Sequence, residues 1–198
     1  MPQEILQKIR KLLDQSIYKF FERNYLPNLS EKDKKSVKVY FPIVPKKEDL
    51  KARLGNAKMG DLETAHNDFY IFLNSIQPYN LDYLWLKNLT DYSNETHYRL
   101  TPQIKKETKR TTVSGQRGSV VWQKDSMGNG ATFGSGVSVM GVPIDPVTQL
   151  PVSNNIVETK IEIWVSFLFE DSNIDALWLC KKAVEDGEAI IKETLKYS

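Results

Sequence analysis

The sequence predicts an α+β fold with a helical N-terminal half, an antiparallel β-sheet in about residues 110–170, and a C-terminal helix packed on it. Three observations predict this class. Apolar residues recur every three or four positions in the first hundred residues and again near the end. Seven of the ten glycines lie between Gly115 and Gly141, where helix is the least favoured state. Residues 157–169 alternate between apolar and polar side chains, with the period of a strand.

A chain of 198 residues has the size of one ordinary domain. We therefore expect a single domain, 1–198, in which residues 1–104 form the helical part. The sheet and the terminal helix occupy residues 105–198.

The first predicted element is an amphipathic helix over residues 1–25, which Pro27 ends. Its apolar stripe has helical spacing and consists of Ile5, Ile9, Leu12, Leu13, Ile17 and Phe20. A charged loop over 30–35 leads to an extended segment over 37–44, and Pro42 keeps this segment out of a central strand. A short helix follows over 47–54.

Two further helices complete the helical half. Asp61 is the expected N-cap of a helix over 62–76 that stops before Pro78. Its stripe includes His66, which we interpret as a packed core histidine. Another helix carries Leu81, Trp85, Leu89 and Tyr92.

After Pro102 the period changes to that of strands. We expect strands over 111–113, 119–124 and 132–140, separated by glycine turns. The long strand over 157–169 predicts a bulge or bend, and Trp164 and Leu168 lie on its polar face. Ser172 and Asp175 cap a final helix whose predicted stripe is Leu177, Cys180, Val184, Ile191 and Leu195.

Composition excludes several classes of function. With 27 basic and 25 acidic side chains the net charge is +2, which argues against a globally basic nucleic-acid binder. One cysteine and two histidines leave no material for a disulfide framework and little for a zinc site, so we expect no metal and no cofactor. No stretch has the length of a membrane span or the pattern of a signal peptide, which favours a cytoplasmic protein without membrane association.

The densest polar constellation follows the last predicted helix of the N-terminal half. It consists of Asn88, Asp91, Asn94, Glu95, His97 and Arg99. His97 is the candidate general base and Arg99 the candidate anion-binding group, with Asn94 and Glu95 as binding or orienting residues. The alternative is a helix terminus whose polar side chains cap neighbouring turns.

A second candidate site is the basic run formed by Lys105, Lys106, Lys109, Arg110 and Arg117, with Trp122 downstream. Cations interleaved with an aromatic ring are typical of surfaces that follow a phosphate backbone. The alternative is a solvated linker between the helical and strand parts. The glycine cluster at 128–136 lacks the Lys-Ser/Thr pair of a phosphate loop and favours hairpin turns. Cys180 on a helix stripe favours an inert thiol.

Four short motifs resemble a loose group of uncharacterised prokaryotic proteins over about residues 37–102. They are Phe41-Pro42-Ile43, Ile76-Gln77-Pro78-Tyr79, Trp85-Leu86-x-x-Leu89 and Asn94-x-x-His97-x-Arg99-Leu100. The resemblance implies no known activity. The group is in turn distantly similar to HEPN-type helical proteins, some of which are RNases.

These observations lead to three functional hypotheses. The first is a non-enzymatic binding module that self-associates as a homodimer through its helices or a strand edge. The second is a metal-independent ribonuclease or nucleotide-processing enzyme that uses His97 and Arg99. The third is nucleic-acid binding through residues 105–117.

Overall fold

The computed structural model describes residues 2–93, 103–169 and 172–198, and it has the predicted α+β architecture. The chain divides into two units. Unit 1 contains Met1–Pro102 together with Ala176–Ser198, and unit 2 contains Gln103–Asp175. The C-terminal helix therefore belongs with the N-terminal helices, and the residues of the sheet interrupt this unit in the sequence.

The described residues of unit 1 form seven helices and two 3-10 turns, at Leu26–Asn28 and Leu81–Tyr83. The helices are α1 (Pro2–Asn24), α2 (Glu31–Ser36), α3 (Lys47–Asn56), α4 (Leu62–Ala65), α5 (Asn67–Ser75), α6 (Leu84–Ser93) and α7 (Ala176–Lys196). Helix α1 packs along α7, and both contact α6.

Aromatic rings fill the centre of unit 1. The Phe20 ring of α1 lies 4.2 Å from that of Phe69 in α5, centroid to centroid, and Phe69 lies 4.9 Å from Tyr197. Trp85 of α6 is also buried. Large aromatic side chains supply much of the hydrophobic stabilisation of such a core.

Two predictions for the N-terminal half are wrong. Residues 30–35, predicted as a loop, include most of α2, because the Ser30 hydroxyl caps this helix by accepting a hydrogen bond from the Asp33 N–H at 3.2 Å. The predicted helix over 62–76 is two helices with a break at His66, whose φ of −140° is not helical. The His66 ring packs edge-on against Phe20 at 5.2 Å.

The predicted stripe of the C-terminal helix is wrong at three of its five positions, whereas Cys180 is buried as predicted. Leu177, Val184 and Leu195 are exposed, whereas the buried positions are Ala176, Leu179, Cys180, Ala183, Gly187, Ile190 and Thr194. The buried stripe is thus shifted by about one residue. Small side chains at three of these positions permit a close approach of α1.

Unit 2 contains a three-stranded antiparallel sheet with the order β2-β1-β5. Its strands are β1 (Gln103–Gly115), β2 (Gly118–Asp125) and β5 (Glu158–Phe169), and a small hairpin of β3 (Ser138–Val139) and β4 (Val142–Pro143) lies between β2 and β5 in sequence. The ladder between β1 and β5 runs without interruption from Gln103–Phe169 to Ser114–Glu158. The bulge predicted for the long strand is therefore absent.

The segment between β2 and β5 builds a small core against one face of the sheet. This core contains Val113, Trp122, Val139 and Ile144. Only Ser138–Val139 of the strand predicted over 132–140 is extended in a ladder. The backbone of Phe133 instead bonds to the Gln149 side chain, which accepts from its N–H at 2.6 Å and donates to its C=O at 3.0 Å.

No helix in the described ranges is both long and apolar enough to cross a membrane.

Candidate functional site

The residues of the predicted catalytic constellation fall largely outside the described part of the chain. Asn94, Glu95, His97 and Arg99 all lie in the range 94–102, which is not described. Their proposed roles in proton transfer and anion binding stay predictions.

Four of the five cations in the basic run predicted to bind nucleic acid lie on β1, not on a linker, and Arg117 lies in the turn after it. Successive side chains of a strand point to opposite faces, so Lys105 and Lys109 share one face while Lys106 and Arg110 share the other. The strand therefore divides this run between two surfaces.

Three of these four cations also lie beside an acidic group. The nitrogen-to-oxygen distances are 2.5 Å for Lys105–Glu107, 3.0 Å for Lys106–Asp125 and 3.9 Å for Arg110–Glu162. Paired cations attract a phosphate backbone less than free ones do, because each is already partly neutralised.

Asp125, the partner of Lys106, also bonds to the turn that follows β2. Its carboxylate accepts hydrogen bonds from the N–H groups of Met127 and Asn129, at 3.0 and 2.8 Å, and from the Asn129 side chain. The Asn129 side chain, assisted by Lys106, lowers the pKa of Asp125 to about 2. The pair of Lys106 and Asp125 thus fixes the turn after β2.

The aromatic member of the basic cluster is buried. Trp122 is 7% exposed and its ring meets Phe133 edge-on at 5.1 Å. The indole therefore serves the core of unit 2 and presents no face for stacking on a base. Nucleic-acid binding stays a prediction that rests on the cations alone.

His66 and Cys180, which the sequence predicts to be structural, both make packing or hydrogen-bond contacts within unit 1. His66 is half-buried and its ring also lies 5.9 Å from that of Tyr25. Cys180 is buried, its thiol donates to the carbonyl of Pro2 at 3.5 Å, and burial raises its pKa, which disfavours the reactive thiolate. Among the described residues no group of three or more His, Cys, Asp or Glu side chains is arranged to hold a metal ion.

The glutamine of the Gln-Pro-Tyr motif hydrogen-bonds two separate backbone segments. Gln77 is fully buried, and its side-chain oxygen accepts from the N–H of Val44 at 3.0 Å. Its side-chain nitrogen donates to the carbonyls of Pro42 and Leu73, at 2.9 and 2.8 Å. The extended segment over 37–44 has no strand partner here, so one amide side chain satisfies backbone groups that a sheet would otherwise pair.

An ion pair on α1 bonds to the same extended segment at Phe41. Arg10 donates to the carbonyl of Phe41 at 3.1 Å, Asp14 accepts from the Phe41 N–H at 2.8 Å, and the two side chains lie 3.3 Å apart. Burial lowers the pKa of Arg10 and raises that of Asp14, while their mutual attraction opposes both shifts. The Phe-Pro-Ile motif therefore bonds to α1 through Phe41 and to Gln77 of the Gln-Pro-Tyr motif through Pro42.

An exposed apolar row in unit 2 is the β5 surface, which consists of Ile161, Ile163, Val165 and Phe167 on one face of the strand. These side chains are 36 to 62% exposed. On the other face Trp164 is exposed, as the sequence predicts, but Leu168 is buried, so its predicted exposure is wrong. Apolar alternation indicates a strand, yet it does not distinguish a face that meets the core from one that meets solvent.

The chain matches no protein-family model, no curated protein and no solved structure.

Proposed function

We propose that this protein is a non-enzymatic binding module that self-associates, and that two copies pair antiparallel through the open edge of β5. The observation that carries the proposal is the β5 surface. A strand of 12 residues with four exposed apolar side chains in one row is typical of an edge that meets a partner. In the described part of the chain β1 is the one strand beside β5, and the other edge of β5 is bridged only at its end, where Leu168 pairs with Asp175.

The turn between β1 and β2 indicates which peptide groups face the open edge. Gly115 and Gly118 close a two-residue hairpin, and such a closing pair is hydrogen-bonded. Odd-numbered residues of β1 therefore bond to β2 and even-numbered ones to β5. Even-numbered residues of β5 bond back to β1, which leaves the odd-numbered residues facing outward.

The end of β5 supports this assignment. The N–H of Phe169 donates to the carbonyl of Ile174 at 3.1 Å, on the edge away from β1. The outward-facing positions before it are Thr159, Ile161, Ile163, Val165 and Phe167. Their arrangement is symmetric about Ile163.

This symmetry favours a second copy of the chain as the occupant. A twofold axis at Ile163 pairs Ile161 with Val165 of the second copy, and it uses every outward-facing position for about ten interstrand hydrogen bonds. The row of apolar side chains then continues across both copies.

The charges on the other face are compatible with the same register. Glu162 faces Trp164 of the second copy and Lys160 faces Ser166, so no like charges are opposed. A register centred on Glu162 would instead place two carboxylates together.

The first experiment measures oligomeric state by analytical ultracentrifugation over a range of concentrations. Ile163→Lys places two like charges at the twofold axis, and we expect the dimer to weaken at least tenfold, which is about 1.4 kcal/mol. The matched control is Ile71→Lys, since Ile71 on α5 is similarly exposed, at 55% compared with 62%. A wild-type protein that stays monomeric at high concentration contradicts the proposal.

A second experiment tests the register by crosslinking in a Cys180→Ser background. Ile163→Cys should form an intermolecular disulfide on oxidation, because Cα atoms of a hydrogen-bonded pair lie about 5.5 Å apart. Lys160→Cys should not, because its two copies lie about 20 Å apart along the strands. Crosslinking of Lys160→Cys without Ile163→Cys would refute this register.

A further inference from the structure

An open cavity of about 740 Å³ lies within unit 2, where three turns converge. The turn between β1 and β2 provides Gly115, Gln116 and Arg117. The turn between β3 and β4 and the segment before β5 provide the other walls, with Met140, Gly141, Asn155, Ile156 and Val157. The volume is in the range of sites that enclose small organic ligands.

The cavity has a polar side formed by groups that are free to bind. Among the described residues, Gln116, Arg117 and Asn155 make no hydrogen bond or ion pair within the protein through their side chains, and all three are exposed. The lining holds one cation and no acid. A single guanidinium flanked by two amides is suited to a singly charged, planar anion.

The rest of the lining includes apolar side chains held in place by local structure. Met140 has a φ of 53° and Gly141 a φ of 80°, so the two form a hairpin turn with left-handed backbone at both positions. Methionine is an unfavourable residue there, since Asn, Asp and Gly are preferred. The methionine side chain explains why this residue occupies the turn, because it packs beside the unit 2 core and lines the cavity.

The other walls are fitted to this methionine. A side chain at Gly115 would bring its Cβ to 3.1 Å from the Met140 sulfur, so glycine leaves the room that the thioether occupies. The Asn154 side-chain oxygen accepts from the N–H groups of Ile156 and Val157, at 2.8 and 2.9 Å. A methionine held in left-handed backbone beside a cavity motivates a hypothesis of binding there.

We propose that this cavity binds a small amphipathic carboxylate. Arg117 holds the carboxylate through two parallel N–H bonds, Gln116 and Asn155 donate to it, and the apolar body lies against Met140 and Ile156. The absence of a second cation from the lining disfavours polyphosphates, which need several. The site uses none of the residues of the β5 surface, so it does not depend on the proposed pairing.

The test compares two probes of equal chain length, octanoate and 1-octanol, followed by amide chemical shifts of the ¹⁵N-labelled full chain. We expect octanoate to shift the amides of the cavity lining and to bind at least tenfold more tightly than octanol. Arg117→Met keeps much of the apolar stem and removes the charge. It should lower octanoate affinity to that of octanol and leave octanol affinity unchanged.

The matched control is Lys160→Met, which removes one positive charge from unit 2 outside the cavity. It should change neither affinity. Three outcomes would each overturn the proposal: no shifts at the lining amides at millimolar octanoate, shifts confined to other residues, or a preference for octanoate that survives in Arg117→Met.

Discussion

Single polar side chains hold irregular backbone in place in both units. Gln77 bonds to two backbone groups of the segment over 37–44 and to the carbonyl of Leu73. Gln149 bonds to both backbone groups of Phe133 and to the carbonyl of Pro146. Each carboxamide offers an acceptor and two donors, which matches the mixed needs of a strand without a partner. Such residues carry stability out of proportion to their size.

We expect Gln77→Ala to destabilise the protein by about 3 kcal/mol, because it leaves the N–H of Val44 and the carbonyl of Pro42 buried without partners. Urea unfolding followed by circular dichroism measures the loss. Gln15→Ala on the exposed side of α1 is the control and should change stability by less than about 0.5 kcal/mol. Equal effects of the two substitutions would contradict the role assigned to Gln77.

At the scale of elements, patterns with local causes were predictable. The helix over residues 1–25 and the short helix at 47–54 are confirmed, because spacing, caps and breakers act within a few residues. The strand at 119–124 is confirmed as the greater part of β2. Of these elements, β2 belongs to the unit that carries both candidate surfaces.

Residues 30–35 were predicted wrongly because of a local feature, the Ser30 cap of α2, whereas other differences have tertiary causes. β1 extends through the basic run, and partners on β2 and β5 accompany its cations, such as Asp125 for Lys106. The stripe of α7 depends on which face α1 can approach closely. For the candidate sites, the strand that carries Ile163 was predictable, but its solvent-facing side and the cavity beside Arg117 depend on contacts distant in sequence.

The turn after β2 offers a test of a steric requirement within unit 2. Gly130 has a φ of 112°, and a Cβ there would lie 2.1 Å from the carbonyl oxygen of Gln123. We expect Gly130→Ala to destabilise unit 2 by at least about 2 kcal/mol, since neither the backbone angle nor the space admits a side chain.

Hydrogen exchange at the Ala131 amide measures this effect, because that N–H bonds to the Gln123 carbonyl at 2.9 Å. Gly134→Ala is the matched control: no atom lies within 4 Å of its Cβ position. Exchange at Ala131 should accelerate in the first variant only, and unchanged exchange in both would refute the steric requirement.

At the scale of the whole molecule, both functional proposals concern unit 2. The β5 surface and the cavity beside Arg117 both lie in Gln103–Asp175. The hydrogen bonds of Gln77 and the ion pair of Arg10 and Asp14 lie in unit 1. Unit 1 has its own aromatic core, formed by residues from both of its chain segments. This organisation is that of a helical unit into whose sequence a second compact unit is inserted.

We therefore expect that replacing residues 103–175 with a flexible Gly-Ser linker of about ten residues leaves a folded, helical and monomeric protein. The core around Phe20, Phe69 and Trp85 is retained, and a short flexible linker adds little loop-closure entropy. Circular dichroism, thermal unfolding and ultracentrifugation measure helicity, cooperativity and mass. A folded dimer would show that association does not need β5, whereas loss of cooperative unfolding would refute the independence of unit 1 and leave the β5 proposal to the Ile163 variants.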